Sequence, residues 1–133
     1  MSVSALQRRA REARSWLFDS CFPLWADHGV NEAGLFPEAL TMTLDEAEAS
    51  TTRVRVQARQ TYVFSEAWRM GWKRDTAARL VTAGVATLAG PALNAQGLAG
   101  RTLSSTTGEL TDPSFDLYDT AFTLFALAEA ARG

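Results

Sequence analysis

The segment from Thr52 to Trp72 constrains this chain more than any other. Val54, Val56, Ala58, Val63, Phe64, Ala67, Trp68 and Met70 set apolar side chains most of the way around a helix. A helix that is apolar on nearly every side is a buried one. One stripe departs from that rule. Arg55, Arg59, Tyr62 and Glu66 stand at i, i+4, i+7 and i+11, so they align along a single edge. An unpaired charge inside a protein is costly. The stripe therefore predicts solvent, an ion-pair network or a wet cavity along that edge.

The remaining segments alternate with this one. A first helix is expected from Ser4, where Ser4 and Gln7 have capping-box spacing. Leu6, Ala10, Ala13, Trp16, Leu17, Cys21 and Leu24 give it one apolar face, and Pro23 should kink or end it. Residues 29–50 are irregular, with room for a short strand between Leu35 and Thr43. A third helix is predicted from Asp75, as N-cap, to Ala89, before the Gly90-Pro91 stop. Ala77, Val81, Val85 and Leu88 form its one-sided stripe, and Gly84 within it marks a close helix contact. Leu98–Ser104 and Glu109–Leu110 suggest a weak hairpin. A fourth helix is expected from Asp112-Pro113 to about Ala131, with Phe115, Leu117, Tyr118, Phe122, Leu124, Phe125 and Leu127 around most of its circumference.

The order is thus one-sided, all-round, one-sided, all-round. That is the pattern of alternating outer and inner helices in two α-hairpins of an α/α barrel, with elaborated loops. A plain four-helix bundle has the same periodicity. Either way the fold class is all-α, in one domain over residues 1–133.

Charge and composition exclude several functions. The net charge is −2, so no basic excess exists to neutralise a phosphate backbone, and nucleic acid is not an expected partner. No run approaches the ~20 apolar residues of a membrane span. Arg8, Arg9, Arg11 and Arg14 precede an apolar run from Trp16 to Trp25 as in a targeting segment. Asp19 and Pro23 interrupt that run, and no small-residue cleavage site follows. Cys21 is the sole cysteine and fits a reducing, cytoplasmic setting. Cys21 and His28 read as a core cysteine and a loop histidine, not as a nucleophile pair: Pro23 and Gly29 punctuate the helix and no orienting acid is evident. One His and one Cys make no metal site. The acidic stretch of Glu32, Glu38, Asp45, Glu46 and Glu48 reads as solvated, and Trp16, Trp25, Trp68 and Trp72 as core. Asp116 and Asp119, one turn apart on one helix, cannot easily flank a glycosidic bond.

Three segments carry a resemblance: Gly34-Leu-Phe-Pro-Glu38, Arg53-Val-Arg-Val-Gln-Ala-Arg-Gln-Thr-Tyr-Val-Phe64, and Asp116-Leu-Tyr-Asp-Thr-Ala-Phe122. In this order and spacing the chain resembles the N-acylglucosamine 2-epimerase family, over nearly its whole length from Trp16 to Ala131. The resemblance implies the first four of the twelve helices of an (α/α)6 barrel. It implies a monosaccharide or small sugar as substrate, no cofactor and no metal, and proton transfer at C2 by histidines acting as general acid and base. Arg59 matches the family's active-site arginine and would hold sugar oxygens and stabilise enediolate charge. Tyr118 matches a tyrosine that contacts the sugar. Arg55 and Tyr62, on the stripe of Arg59, are expected to shape the pocket.

Two departures stand out. Thr120 replaces the usual His or Gln, and the sole histidine, His28, matches neither catalytic histidine, so no catalytic residue is assigned in this chain. The 133 residues are accordingly expected to be inactive alone, as the N-terminal segment of a sugar 2-epimerase or aldose–ketose isomerase. The other reading is a non-catalytic sugar-binding or helical interaction module, or a remnant of such an enzyme. Apolar faces left for missing neighbours predict self-association.

Overall fold

The computed structural model describes residues 2–133. Helix α1 (Val3–Trp16), a π-helical turn (Leu17–Cys21) and helix α2 (Phe22–His28) follow one another without a break. Ser2, not Ser4, is the N-cap. It is extended, at φ −74° and ψ 156°, and its hydroxyl accepts from the N–H of Ala5. Ser4 lies inside the helix with its hydroxyl 3.1 Å from that of Ser2, so the expected box with Gln7 does not form.

Pro23 does not end the helix either. Proline lacks an N–H, and its ring crowds the carbonyl four residues back. The wider turn just before it absorbs both problems: the N–H of Phe22 bonds to the carbonyl of Leu17, five residues back. The helix stops at Gly29, whose φ of 59° suits glycine. The predicted apolar face is only half used. No residue of α1 is buried, and Trp16 is exposed, whereas Phe22 at the start of α2 is buried.

Residues 29–50 hold no strand between Leu35 and Thr43. A single bridge, Leu40 to Glu46, closes a turn whose tip carries the fully exposed Met42. Strand β1 (Thr51–Arg53) comes directly before helix α3 (Val54–Arg69) and takes up the residues expected to open that helix. The Glu38 carboxylate explains the choice. It accepts from the Thr52 hydroxyl and the Arg53 N–H, both at 2.9 Å, which holds the chain extended. The Val54 N–H goes to the carbonyl of Arg101 at 2.9 Å. Strand β1 pairs antiparallel with β2 (Thr102–Ser104), which pairs with β3 (Leu110–Asp112). The expected hairpin therefore forms, with shorter strands and a third partner.

Helix α4 (Arg74–Leu88) ends just before Gly90-Pro91, as expected. Asp75 lies in its first turn and does not cap it; Lys73 occupies the cap position at φ 29°. Helix α5 (Leu117–Arg132) starts later than Asp112-Pro113, because Asp112 is still in β3 and Asp116 is the N-cap, accepting from the N–H of Asp119 at 3.1 Å.

Helix α3 is the centre of the structure. One side packs on α4 at Gly84, where an added Cβ would sit 2.0 Å from the Thr61 hydroxyl. The other side packs on α5. Val54, Ala58, Leu88, Leu103 and Ala126 belong to one buried cluster, and Phe22, Phe36, Phe64 and Trp72 to a second. The buried Gln57 of α3 ties the preceding loop to both: its amide accepts from the N–H of Phe36 (2.8 Å) and donates to the carbonyl of the same residue (2.9 Å). Leu117 and Leu124 of α5 are exposed, and Phe125 is exposed in part.

Candidate functional site

Three members of the polar stripe on α3 meet α5 directly, and the fourth, Glu66, pairs with a residue of α3 that does. Arg55, near the start of α3, makes a two-pronged bond to Asp119: Nε to Oδ1 at 2.8 Å and Nη2 to Oδ2 at 3.1 Å. Arg59 donates to the hydroxyl of Tyr118. Tyr62 sets its ring 4.9 Å from that of Phe125. Glu66 pairs with Arg69, which reaches Glu129 at 2.7 Å. The start of α3 thus meets the start of α5, and the end meets the end, so the two helices run parallel. Two of the three outcomes the stripe allowed are combined: ion pairs form at its two ends, on Arg55 and Glu66, and between them Arg59 is open to solvent.

The electrostatics differ along the seam. Asp119 is only 1% exposed, and its carboxylate is matched by the Arg55 fork, a strong charge-assisted geometry. The hydrogen bond to Asp119 raises the pKa of Arg55 above its ordinary value, against the opposing effect of burial, so Arg55 is a fixed cation. Asp116 approaches the same guanidinium at 3.7 Å and Arg101 at 4.0 Å. The N–H of Asp119, then the positive charges of Arg101 and Arg55, hold the Asp116 carboxyl below the ordinary aspartate range.

Arg59 is different. It is exposed, and its guanidinium lies 5.7 Å from the centroid of the Tyr118 ring and 5.0 Å from that of Phe122. Arg55 lies 4.5 Å from the Tyr118 ring as well. Two cations, a phenol and a phenyl ring thus form a platform, with Tyr118 itself 43% exposed. A hollow of about 300 Å³ adjoins it, bordered by Arg53, Arg55, Arg101, Thr102, Asp112 and Asp119.

Of the four residues named from sequence, Arg55, Arg59 and Tyr118 come together. Tyr62 stands one turn further along and packs into the seam, half-buried. The sequence reading missed Asp119 as the partner of Arg55 and Phe122 as the floor under Arg59. The spacing of Asp119 and Phe122 after Asp116 was visible, but their partners on α3 lie about sixty residues away. The buried hydroxyls of Thr120 and Thr123 have no hydrogen-bond partner among the described residues. Among the described residues no group of His, Cys, Asp and Glu could hold a metal, and no helix is long and apolar enough to cross a membrane.

A sequence model of N-acylglucosamine 2-epimerase (GlcNAc 2-epimerase) matches residues 34–133, which include the whole platform. The chain belongs to the N-acylglucosamine 2-epimerase family. It is 37% identical over 125 residues to a mannose-6-phosphate isomerase of Rhizobium meliloti (strain 1021), a match that covers 93% of this chain and 32% of that protein. The fold is similar to cellobiose 2-epimerase from Spirochaeta thermophila DSM 6192, with a TM-score of 0.85 at 19% identity over 98% of this chain and 32% of that one. Cellobiose 2-epimerase from Bacillus thermoamylovorans B4167 is similar too, with a TM-score of 0.82 at 21% identity over 95% of this chain and 32% of that one. The chain therefore spans about a third of the length of these relatives. Its fold is that of about a third of an (α/α)6 barrel, the architecture of these 2-epimerases.

Proposed function

We propose that Arg59 and Tyr118 form one wall of a sugar site in a 2-epimerase or aldose–ketose isomerase, of which these 133 residues are the N-terminal third. The observation that carries this reading is the state of Arg59. Among the described residues it has no carboxylate partner, and its charge lies on an exposed aromatic platform. A cation so presented suits neutral, hydroxyl-rich ligands and an oxygen that gains negative charge during the reaction. Aromatic faces beside it suit the apolar face of a pyranose.

In the proposed reaction a base removes the proton at C2 of the sugar, and the charge spreads onto the neighbouring oxygen as an enediolate. Arg59 stabilises that oxygen, and Tyr118 orients a hydroxyl. Return of the proton to the opposite face of C2 gives epimerisation; return to C1 gives isomerisation. The base and acid are histidines outside these residues. His28, the sole histidine here, ends α2 and serves neither role. The substrate is a monosaccharide or small sugar, and the single cysteine accords with a cytoplasmic setting.

Calorimetric titration of the purified chain with mannose, glucose and N-acylglucosamines tests the reading. Binding is expected for at least one sugar, lost in Arg59→Ala, with no turnover. Turnover by the 133 residues would overturn the assignment of the chemistry to residues elsewhere. Binding to no sugar would overturn the wall itself. The absence of a suitably placed histidine favours a second reading, a sugar-binding module without catalysis, and the same titration followed by an isomerase assay on a longer chain separates the two. The exposed Leu117, Leu124 and Phe125 of α5 add an expectation of self-association, which light scattering would contradict by returning a monomer at high concentration.

A further inference from the structure

We infer that Asp119 is a positioning residue of this site, fixing Arg55 against the ring of Tyr118 and so setting where the phenol offers its hydroxyl to Arg59. This rests on the reading that Arg59 and Tyr118 meet the sugar. Asp119 touches no ligand in this scheme and acts through two neighbours.

The geometry runs outward from a buried point. Asp119 is 1% exposed, and its backbone N–H is held by the Asp116 carboxylate at 3.1 Å, so the carboxylate is anchored in the first turn of α5. Both of its oxygens are engaged by Arg55, at 2.8 and 3.1 Å. A fork of this kind fixes the plane of the guanidinium as well as its place, which a point charge cannot do. The central carbon of that guanidinium, Cζ, lies 4.5 Å from the centroid of the Tyr118 ring, whose own contact with Phe122 is 4.7 Å between centroids. A half-exposed tyrosine on a helix surface would otherwise exchange among staggered rotamers. Here the ring is held, and its hydroxyl meets Arg59.

A plain tie between α3 and α5 would look similar in part. Arg69 and Glu129 provide one at the other end of the same helix pair, 2.7 Å apart, and among the described residues Arg69 lies over no aromatic ring as Arg55 does. The two ends therefore supply a site and its control.

The test compares Asp119→Asn, Arg55→Lys and Glu129→Gln in the 133-residue chain. Aromatic ¹³C NMR follows ring motion of Tyr118 and Tyr62, and titration with D-mannose follows affinity. Asp119→Asn and Arg55→Lys are expected to speed motion of the Tyr118 ring alone and to weaken mannose binding about tenfold, since a site loosened by a fraction of an ångström loses that order of affinity. Glu129→Gln is expected to lower the melting temperature while leaving Tyr118 and mannose affinity unchanged. Arg55→Lys keeps the charge and serves if Asp119→Asn does not fold. Equal loosening of Tyr62 and Tyr118, or an unchanged Tyr118 signal in both site variants, overturns the proposal. If the unmutated chain binds no mannose yet Asp119→Asn still frees Tyr118, the sugar reading fails and the positioning of the ring stands.

Discussion

Toward α4, helix α3 presents Thr61 to a glycine; toward α5, it presents two arginines and a tyrosine. The first contact is a matter of volume. Gly84 lets two helices close up until a single methyl group has no room. The second is a matter of direction. Its groups are held by hydrogen bonds and by tilted ring contacts, and its outer edge is open to water. A helix that must be buried and also present a polar surface divides these duties between its two flanks. The volume-limited flank should be sensitive to size and indifferent to charge, and the polar flank the reverse.

Gly84→Val is the hardest test of the tight flank. Overpacking should lower stability by roughly 2–3 kcal/mol, read from urea unfolding. Gly84→Ala should cost less, because alanine returns about 1 kcal/mol of helix propensity, and adding Thr61→Ala should recover part of the loss. Additive behaviour of Gly84→Ala and Thr61→Ala would deny that the two residues share one space.

Arg55→Ala should come next on the polar flank. It strands the buried Asp119, which costs about 2 kcal/mol once the partial exposure of Arg55 is allowed for. The Arg55→Ala, Asp119→Ala double variant should then lose less than the sum of the singles in the same unfolding experiment. Glu129→Gln at the far end of the seam should cost about 1 kcal/mol by thermal melting, because Glu129 is wetter than Asp119. A larger loss there than at Arg55 would reverse the ranking of the two ends.

Arg59→Ala should change stability by less than about 0.5 kcal/mol, since its side chain is exposed. A large loss would make Arg59 a structural tie and weaken the contrast with Arg55. The smallest effect should come with pH. The Asp116 carboxyl titrates below its ordinary range because the folded state favours its charged form. Its contribution is therefore full above the unfolded aspartate value and is lost as pH falls through the lower, folded one. Asp116→Asn should flatten the acid side of the melting-temperature profile, and an unchanged profile would contradict this.

How far these features could be read in the sequence follows from their range. The burial of α3 and its polar edge are both written in a 3.6-residue period, so they were legible, as was the close contact at Gly84. The helix ends were less so. Asp112-Pro113 has the chemistry of a helix start, yet Asp112 closes a strand and Asp116 does the capping, because pairing with β2 claims the earlier residue. Strand β1 spans three residues, too few for alternation to show, and it exists because Glu38 holds Thr52 and Arg53 extended. Pro23 reads as a kink or an end, but the local chain absorbs it in a wider turn. At the site, Arg59 and Tyr118 came from the family's pattern. The Arg55–Asp119 fork joins residues 64 apart in sequence, and no local spacing announces a partner at that distance.

The parallel course of α3 and α5 has an effect beyond packing. Peptide units in each helix align their dipoles, leaving about half a positive charge at each N-terminus. Both N-termini open on the same end of the structure, and Tyr118 lies in the first turn of α5. On the proposed reading, an oxygen that turns anionic beside Tyr118 would lie near the positive pole of α5, with that of α3 a turn further off, so the backbone itself would add to the work of Arg59.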